Sequence, residues 1–269
     1  MRVFVYDKSF EGLLSAVFDA YTRKEFPECL LGPKDIPPLG ADQFHTVDTT
    51  GEKASRVFRG LVSRMTAEAR RELMYAWLSE QDGSDVLLFR YIRAIFDRSR
   101  KGGDRSPKGP PGTVETDLAD ENVFAVHRLA RKVRAERHHM LGFVRFQKTR
   151  EGVYFAAISP RHNVLSLLLD HFGDRFADQD WVLFDIRREY GVLHSHGDFS
   201  EVHLDSSLLR HLREHGGKLE APLLQDGELL FQELWKSYFT SVAIKERSNP
   251  KLQSRCMPRR YWAFMTEKQ

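Results

Sequence analysis

The residues best suited to chemistry lie in the last tenth of the chain, in KERSNPKLQSRCMPRRYWAFMTE. There Lys245, Arg247, Lys251, Arg255, Arg259 and Arg260 alternate with Tyr261, Trp262 and Phe264. Guanidiniums make paired, planar contacts to phosphate, and aromatic rings offer a face on which an unpaired base can stack. Ser248 or Asn249, followed by Pro250, is a standard helix start whose free amides suit an anion. Arg145, Arg175 and Arg187, at the joints of the central part of the chain, extend the same chemistry. The expectation is a nucleic-acid surface: Arg145, Arg175, Arg187, Arg247, Arg259 and Arg260 on phosphates, with Tyr261 or Trp262 on a base. The plainer reading is a basic tail whose aromatics belong to the core.

A second set could do acid–base work. His171, Asp185 and Glu246 are candidates for a site acting on DNA or a damaged nucleotide, with or without a metal. No motif fixes the spacing of these carboxylates, and His171 reads equally as a satisfied core histidine. His194 and His196 share one strand face. If the following turn is Gly197–Asp198, Glu201 lies opposite His194 and His203 opposite Val192, a metal-capable arrangement that a change of register destroys. His211-Leu212-Arg213-Glu214-His215 fits a short zinc-peptidase string, but also fits cations loaded at a helix C-terminus. No metal is assigned from these patterns and no cofactor is expected. Walker, dinucleotide-binding and nucleophile-elbow motifs are absent. These residue types do not decide whether the protein is an enzyme.

The elements that must position these groups follow from periodicity. RVFVY reads as a strand leading to a helix capped at Asp7 or Ser9. Glu28 to Gly51 is turn-rich and reads as an extended connection. Three helices are expected between Thr50 and Arg98, with 52–98 forming a helical lobe. The stretch 97–116, DRSRKGGDRSPKGPPGTVET, reads as a flexible basic linker. A long helix over 120–140 carries Arg128, Arg131, Lys132, Arg134 and Arg137, which only Glu136 partly offsets; it is a candidate nucleic-acid-facing element. A strand over 141–146 (alternating through GFVRF) and a second over 153–159 form a hairpin, and Asn163 caps a helix. Trp181 to Ile186 reads as a central strand. A hairpin, a short helix ending at Gly216–Gly217, and a last long helix with Leu230, Leu234, Tyr238 and Val242 on its core stripe complete the chain. The expected fold is α+β, one domain over 1–269 with a mixed or antiparallel sheet flanked by N- and C-terminal helices.

Bulk properties set the outer bounds. The 269 residues are 41% hydrophobic and 29% charged, with net charge +3, an ordinary globular composition. No apolar run suits a membrane span, and the opening residues show no secretory pattern, so no membrane association is expected. Two cysteines, Cys29 and Cys256, fit a reducing cytoplasm and are too few to hold an iron–sulfur cluster.

GFVRF, HFGDRFADQDWVLFDIRREYG and FQELWKSYFTSVAIKERSNPKLQSRCMPRRYWAFMTE resemble a bacterial family of DNA-metabolism proteins with a domain of unknown function. Matching positions include Asp7, Arg145, His171, Arg175, Asp185, Arg187, Trp235, Glu246, Arg247, Arg260, Tyr261 and Trp262. Members are encoded beside a radical-SAM DNA repair or modification protein, and a similar domain is elsewhere fused to a uracil-DNA-glycosylase-like one. The resemblance implies a DNA-binding accessory protein with a radical-SAM partner. The alternatives are a metal-dependent enzyme on DNA or damaged nucleotides, and a protein-docking partner without DNA affinity. The chain has no glycosylase signature, so that activity would belong to a partner.

Overall fold

The computed structural model describes residues 1–101 and 117–269. The fold is α+β, and the chain divides into two compact units, Met1–Arg134 and Ala135–Gln269.

The first unit starts from a strand whose two central residues are fully buried. In β1 (Arg2–Val5), Val3 and Phe4 are inaccessible. The strand leads into α1 (Phe10–Arg23), where Ser9 caps the helix by accepting from the Gly12 amide and Asp7 accepts from Ser9. The expected extended connection after α1 instead supplies two short strands, β2 (Cys29–Leu31) and β3 (Gln43–Thr46), both parallel to β1. Such short strands amid prolines leave almost no periodic trace. Next come α2 (Gly51–Val62) and α3 (Ala67–Trp77), capped by Thr50 and Thr66, and α4 (Ser84–Lys101). Their buried faces join β1 and α1 in one core that includes Phe4, Leu13, Leu61, Leu73 and Ile92. Because α4 runs to Lys101, residues 97–101 of the expected linker are helical; 102–116 lie outside the described residues.

The boundary between the units falls within α5 (Glu121–Phe143). This helix takes in the first two residues of GFVRF, Gly142 and Phe143, and residues 144–146 follow without regular structure, so the strand expected over 141–146 does not form. A helical i, i+4 pair prevails over the alternating pattern: the rings of His139 and Phe143 stack at 5.5 Å.

The second unit is built on a five-stranded mixed sheet of order β4-β5-β6-β7-β8. The strands are β4 (Gln147–Lys148), β5 (Tyr154–Ile158), β6 (Trp181–Asp185), β7 (Tyr190–Ser195) and β8 (Asp198–Val202). β5 and β6 are parallel, joined by a 3-10 turn (Leu165–Leu167) and α6 (Leu169–Arg175); the other neighbours are antiparallel. Neither helical segment is capped by Asn163, whose side chain instead accepts from the Tyr190 hydroxyl. One sheet face packs Phe155, Phe184 and Leu212, the last from α7 (Ser206–Glu214). On the other, Trp181 meets Phe146, Phe172, His194 and Phe199. Gly216 and Gly217 end α7 with φ of 59° and 79°, and a Cβ on Gly216 would fall 2.3 Å from the Ala263 carbonyl oxygen.

Two further expectations give way here. The β7–β8 turn is His196–Gly197, both with positive φ, so His194 faces Phe199 and Val192 faces Glu201. Positive φ at both central residues matches the twist of a tight hairpin, and glycine supplies it without strain. Then α8 (Glu228–Ser241) has no buried residue: Leu230, Leu234 and Tyr238 are each more than half exposed, and so is Val242 just beyond it. The chain ends with α9 (Pro250–Cys256), capped by Asn249, and short 3-10 turns.

Candidate nucleic-acid interface

Parallel pairing brings the C-terminal ends of β5 and β6 to one edge of the sheet, the position where open α/β sheets commonly take ligands. The loops leaving those ends carry Pro160, Arg161, His162 and Asn163 after β5, and Arg187 and Arg188 after β6. Two buried carboxylates hold them. Glu136, on α5 and 3% exposed, accepts from the amides of Arg161 (2.9 Å) and His162 (2.8 Å) and from the Tyr261 hydroxyl (2.8 Å). Arg260 approaches it at 3.7 Å. Asp185, fully buried at the end of β6, accepts from the Arg187 amide (2.9 Å) and the Arg188 guanidinium (2.7 Å). Burial pushes the Asp185 carboxyl up despite this pairing. The loops are also stitched to each other, since Arg187 and Arg188 each donate to the Arg161 carbonyl at 3.0 Å. Exposed Arg161 and Arg187 therefore sit on a braced frame.

His139, one turn from Glu136, stacks on Phe143 and lies 5.9 Å from the Tyr261 ring. Its Nδ1 is buried without a hydrogen-bond partner. Burial, reinforced by Arg260 and His138, holds its pKa below the ordinary histidine value.

A second feature of this unit is a cleft of about 530 Å³ lined by Gly142, Arg145, Phe146, Glu228, Phe231, Gln232, Trp235 and Thr266. Two of these lining residues, Arg145 and Trp235, are held by Glu267, whose side chain is 1% exposed. Arg145 donates to it through two nitrogens, at 2.6 and 3.1 Å, and the Trp235 indole N–H donates at 3.0 Å. Burial alone would raise the Glu267 pKa, but these bonds outweigh it and hold the carboxyl below its usual range. Arg145 also donates to the Gly142 and Val144 carbonyls at the end of α5, and its guanidinium lies 5.7 Å from the Trp235 ring centroid.

The other candidate residues are dispersed in role. Arg175 is exposed beside the Phe176 ring, and Arg247 is exposed in the 3-10 turn Lys245–Arg247. Arg259 lies over the half-buried Trp262, whose indole N–H donates to the Met257 carbonyl. Tyr261 is 2% exposed, with Arg260 over its ring, so it has no open face for a base. Burial, together with Glu136, pushes its hydroxyl above the ordinary tyrosine range. Among the acid–base candidates, His171 is half-buried against Phe172, Asp185 is engaged as described, and Glu246 is exposed.

The expected histidine face is not assembled. His194 is 3% exposed and stacks on Trp181, His196 occupies the turn, and exposed His203 pairs with Glu201. His211 stacks on His215 and pairs with Glu220. Among the described residues, no group of three or more histidine, cysteine, aspartate or glutamate side chains could hold a metal ion.

Arg161, Arg188, His139, Phe231 and Glu267 had no site role in the sequence pattern, where Glu136 read only as partial charge compensation. A single acid within the basic run from Arg128 to His139 was the available signal for Glu136. No helix of the described chain is long and apolar enough to cross a membrane. No curated protein matches the chain. The family described as a domain of unknown function, DUF4130, matches residues 82–267, more than half of the sequence. The chain belongs to the DUF4130 family.

Proposed function

We propose that the protein binds nucleic acid as an accessory of DNA repair or base modification, acting with a radical-SAM partner. The observation that carries the binding part is the pair of arginine-bearing loops at the C-terminal ends of β5 and β6. Glu136 and Asp185 are buried and fully occupied in bracing those loops, while Arg161 and Arg187 face solvent. Anionic backbones are recognised by arginines held in this way. Exposed Arg175, Arg247 and Arg259 extend the cationic surface. The partner rests on the family resemblance of the sequence alone.

Fluorescence anisotropy against single-stranded, duplex and base-damaged DNA at several salt concentrations tests this directly. Binding should fall steeply with salt, and Arg161→Ala with Arg187→Ala should weaken it and flatten the dependence. Unchanged affinity in the double variant would remove the assignment. One observation favours a docking role as a second reading: Leu229, Leu230 and Leu234 of α8 are each more than half exposed. Co-purification with the radical-SAM partner, lost on Leu230→Asp and without DNA affinity at moderate salt, would favour it.

A further inference from the structure

We infer that the cleft between the end of α5 and α8 accepts one unpaired nucleobase of a bound single strand; this rests on the nucleic-acid reading above and adds the group that the strand presents. The first support is shape and surface. Phe231 and Trp235 are one helical turn apart on α8, 68% and 39% exposed, and both open into the same cleft, with Phe146 also lining it. A volume of about 530 Å³ is within the range of about 300–1,000 Å³ usual for small-molecule sites.

The second support is preorganisation. An exposed tryptophan on a surface helix ordinarily samples several rotamers. Here the indole N–H is tied to Glu267, and that carboxylate is itself gripped by the Arg145 fork. The ring is thus held in place before any ligand arrives, which removes much of the ordering cost of stacking.

Charge decides which part of a nucleotide enters. Arg145 was expected on a phosphate, but Glu267 neutralises it, and Glu228 adds a further acid to the lining. A phosphate would meet no net positive charge there, whereas a neutral ring would meet aromatic faces and polar edges. Gln232 donates its amide to Glu228 at 3.1 Å, leaving its carbonyl oxygen to accept from a ring N–H, and the Thr266 hydroxyl lines the same space. Phosphates are left to the exposed arginines.

The test uses the full chain and single strands carrying one 2-aminopurine. Saturating wild-type protein should quench the probe through stacking. Trp235→Leu and, separately, Phe231→Ala should abolish most of the quenching and weaken binding on the order of ten-fold. Neither variant removes a buried side chain, since α8 has none. Arg161→Ala with Arg187→Ala should weaken binding yet leave the quenching at saturation intact. If wild-type protein binds the strand and Trp235→Leu changes neither quenching nor affinity, the cleft assignment fails while the nucleic-acid reading stands. If no strand binds at any salt concentration, both fall. Saturable quenching of free 2-aminopurine riboside without strand binding would assign the cleft to a free nucleoside and overturn the strand-bound form.

Discussion

Glu136, on α5, gathers hydrogen bonds from two separate parts of the second unit: the loop after β5, through the Arg161 and His162 amides, and the C-terminal turn, through the Tyr261 hydroxyl. A buried carboxylate is tolerated only when its lone pairs are occupied, and its removal leaves the donors stranded. Glu136→Ala should therefore cost about 3–5 kcal/mol of stability, read by urea unfolding, and should lower the order of the arginine loop. Glu267 shows the same economy with a pH signature. Its folded pKa lies below the ordinary glutamate value because Arg145 and Trp235 outweigh burial. A depressed carboxylate contributes stability above its unfolded pKa and loses it as pH falls through the folded one. The stability gap between wild type and Glu267→Gln should thus be widest near neutrality and close below about pH 4, measured by chemical unfolding across pH. At this scale the sequence pointed to the residue types but assigned some of them the wrong exposure. Tyr261 and Arg145 were both expected on the ligand, yet one is buried against Glu136 and the other is committed to Glu267.

Among the elements, α8 is the clearest departure. Its apolar spacing is that of a core helix, but Leu230 is 62% exposed, while Leu212 on α7 is fully buried. Leu230→Ser should change stability by no more than about 0.5 kcal/mol, whereas Leu212→Ala should cost about 2–5 kcal/mol. Thermal and denaturant unfolding of the two variants distinguish these outcomes. A cost at Leu230 like that at Leu212 would mean that α8 is covered in solution. The other elements were largely legible: β1, α1 with its Ser9 cap, the central strand β6 and the Asn249-Pro250 start of α9 all form as expected. The failures occur where two periods compete. GFVRF alternates like a strand, but no proline interrupts the helix before it, and α5 extends to Phe143.

On the scale of the whole molecule, the two units each enclose their own core, and the family match begins just before α4 and runs to Glu267. The net charge of +3 is small, so any salt-dependent affinity must come from local clustering of cations and not from the global field. Each phosphate contact contributes about −0.7 to the slope of log affinity against log salt on single strands. The Arg161→Ala, Arg187→Ala double variant should therefore flatten that slope by about 1.4 if each arginine holds one phosphate. Titrations at four or more salt concentrations give the slope. An unchanged slope with reduced affinity would place these arginines in a bracing role.

The sequence by itself determined the α+β class, most helices with their caps, the central strand and the cationic, aromatic character of the second unit, because these depend on residues within a few positions of one another. Tertiary structure alone decided which arginines face solvent and which are neutralised. Glu267, which neutralises Arg145, lies 122 residues along the chain, and the contact with Glu136 that buries Tyr261 spans 125. Tertiary structure also decided that the α8 stripe stays open and that the β7–β8 turn sits at His196–Gly197. A periodic pattern specifies that an apolar face exists, but only the packed chain specifies what, if anything, covers it.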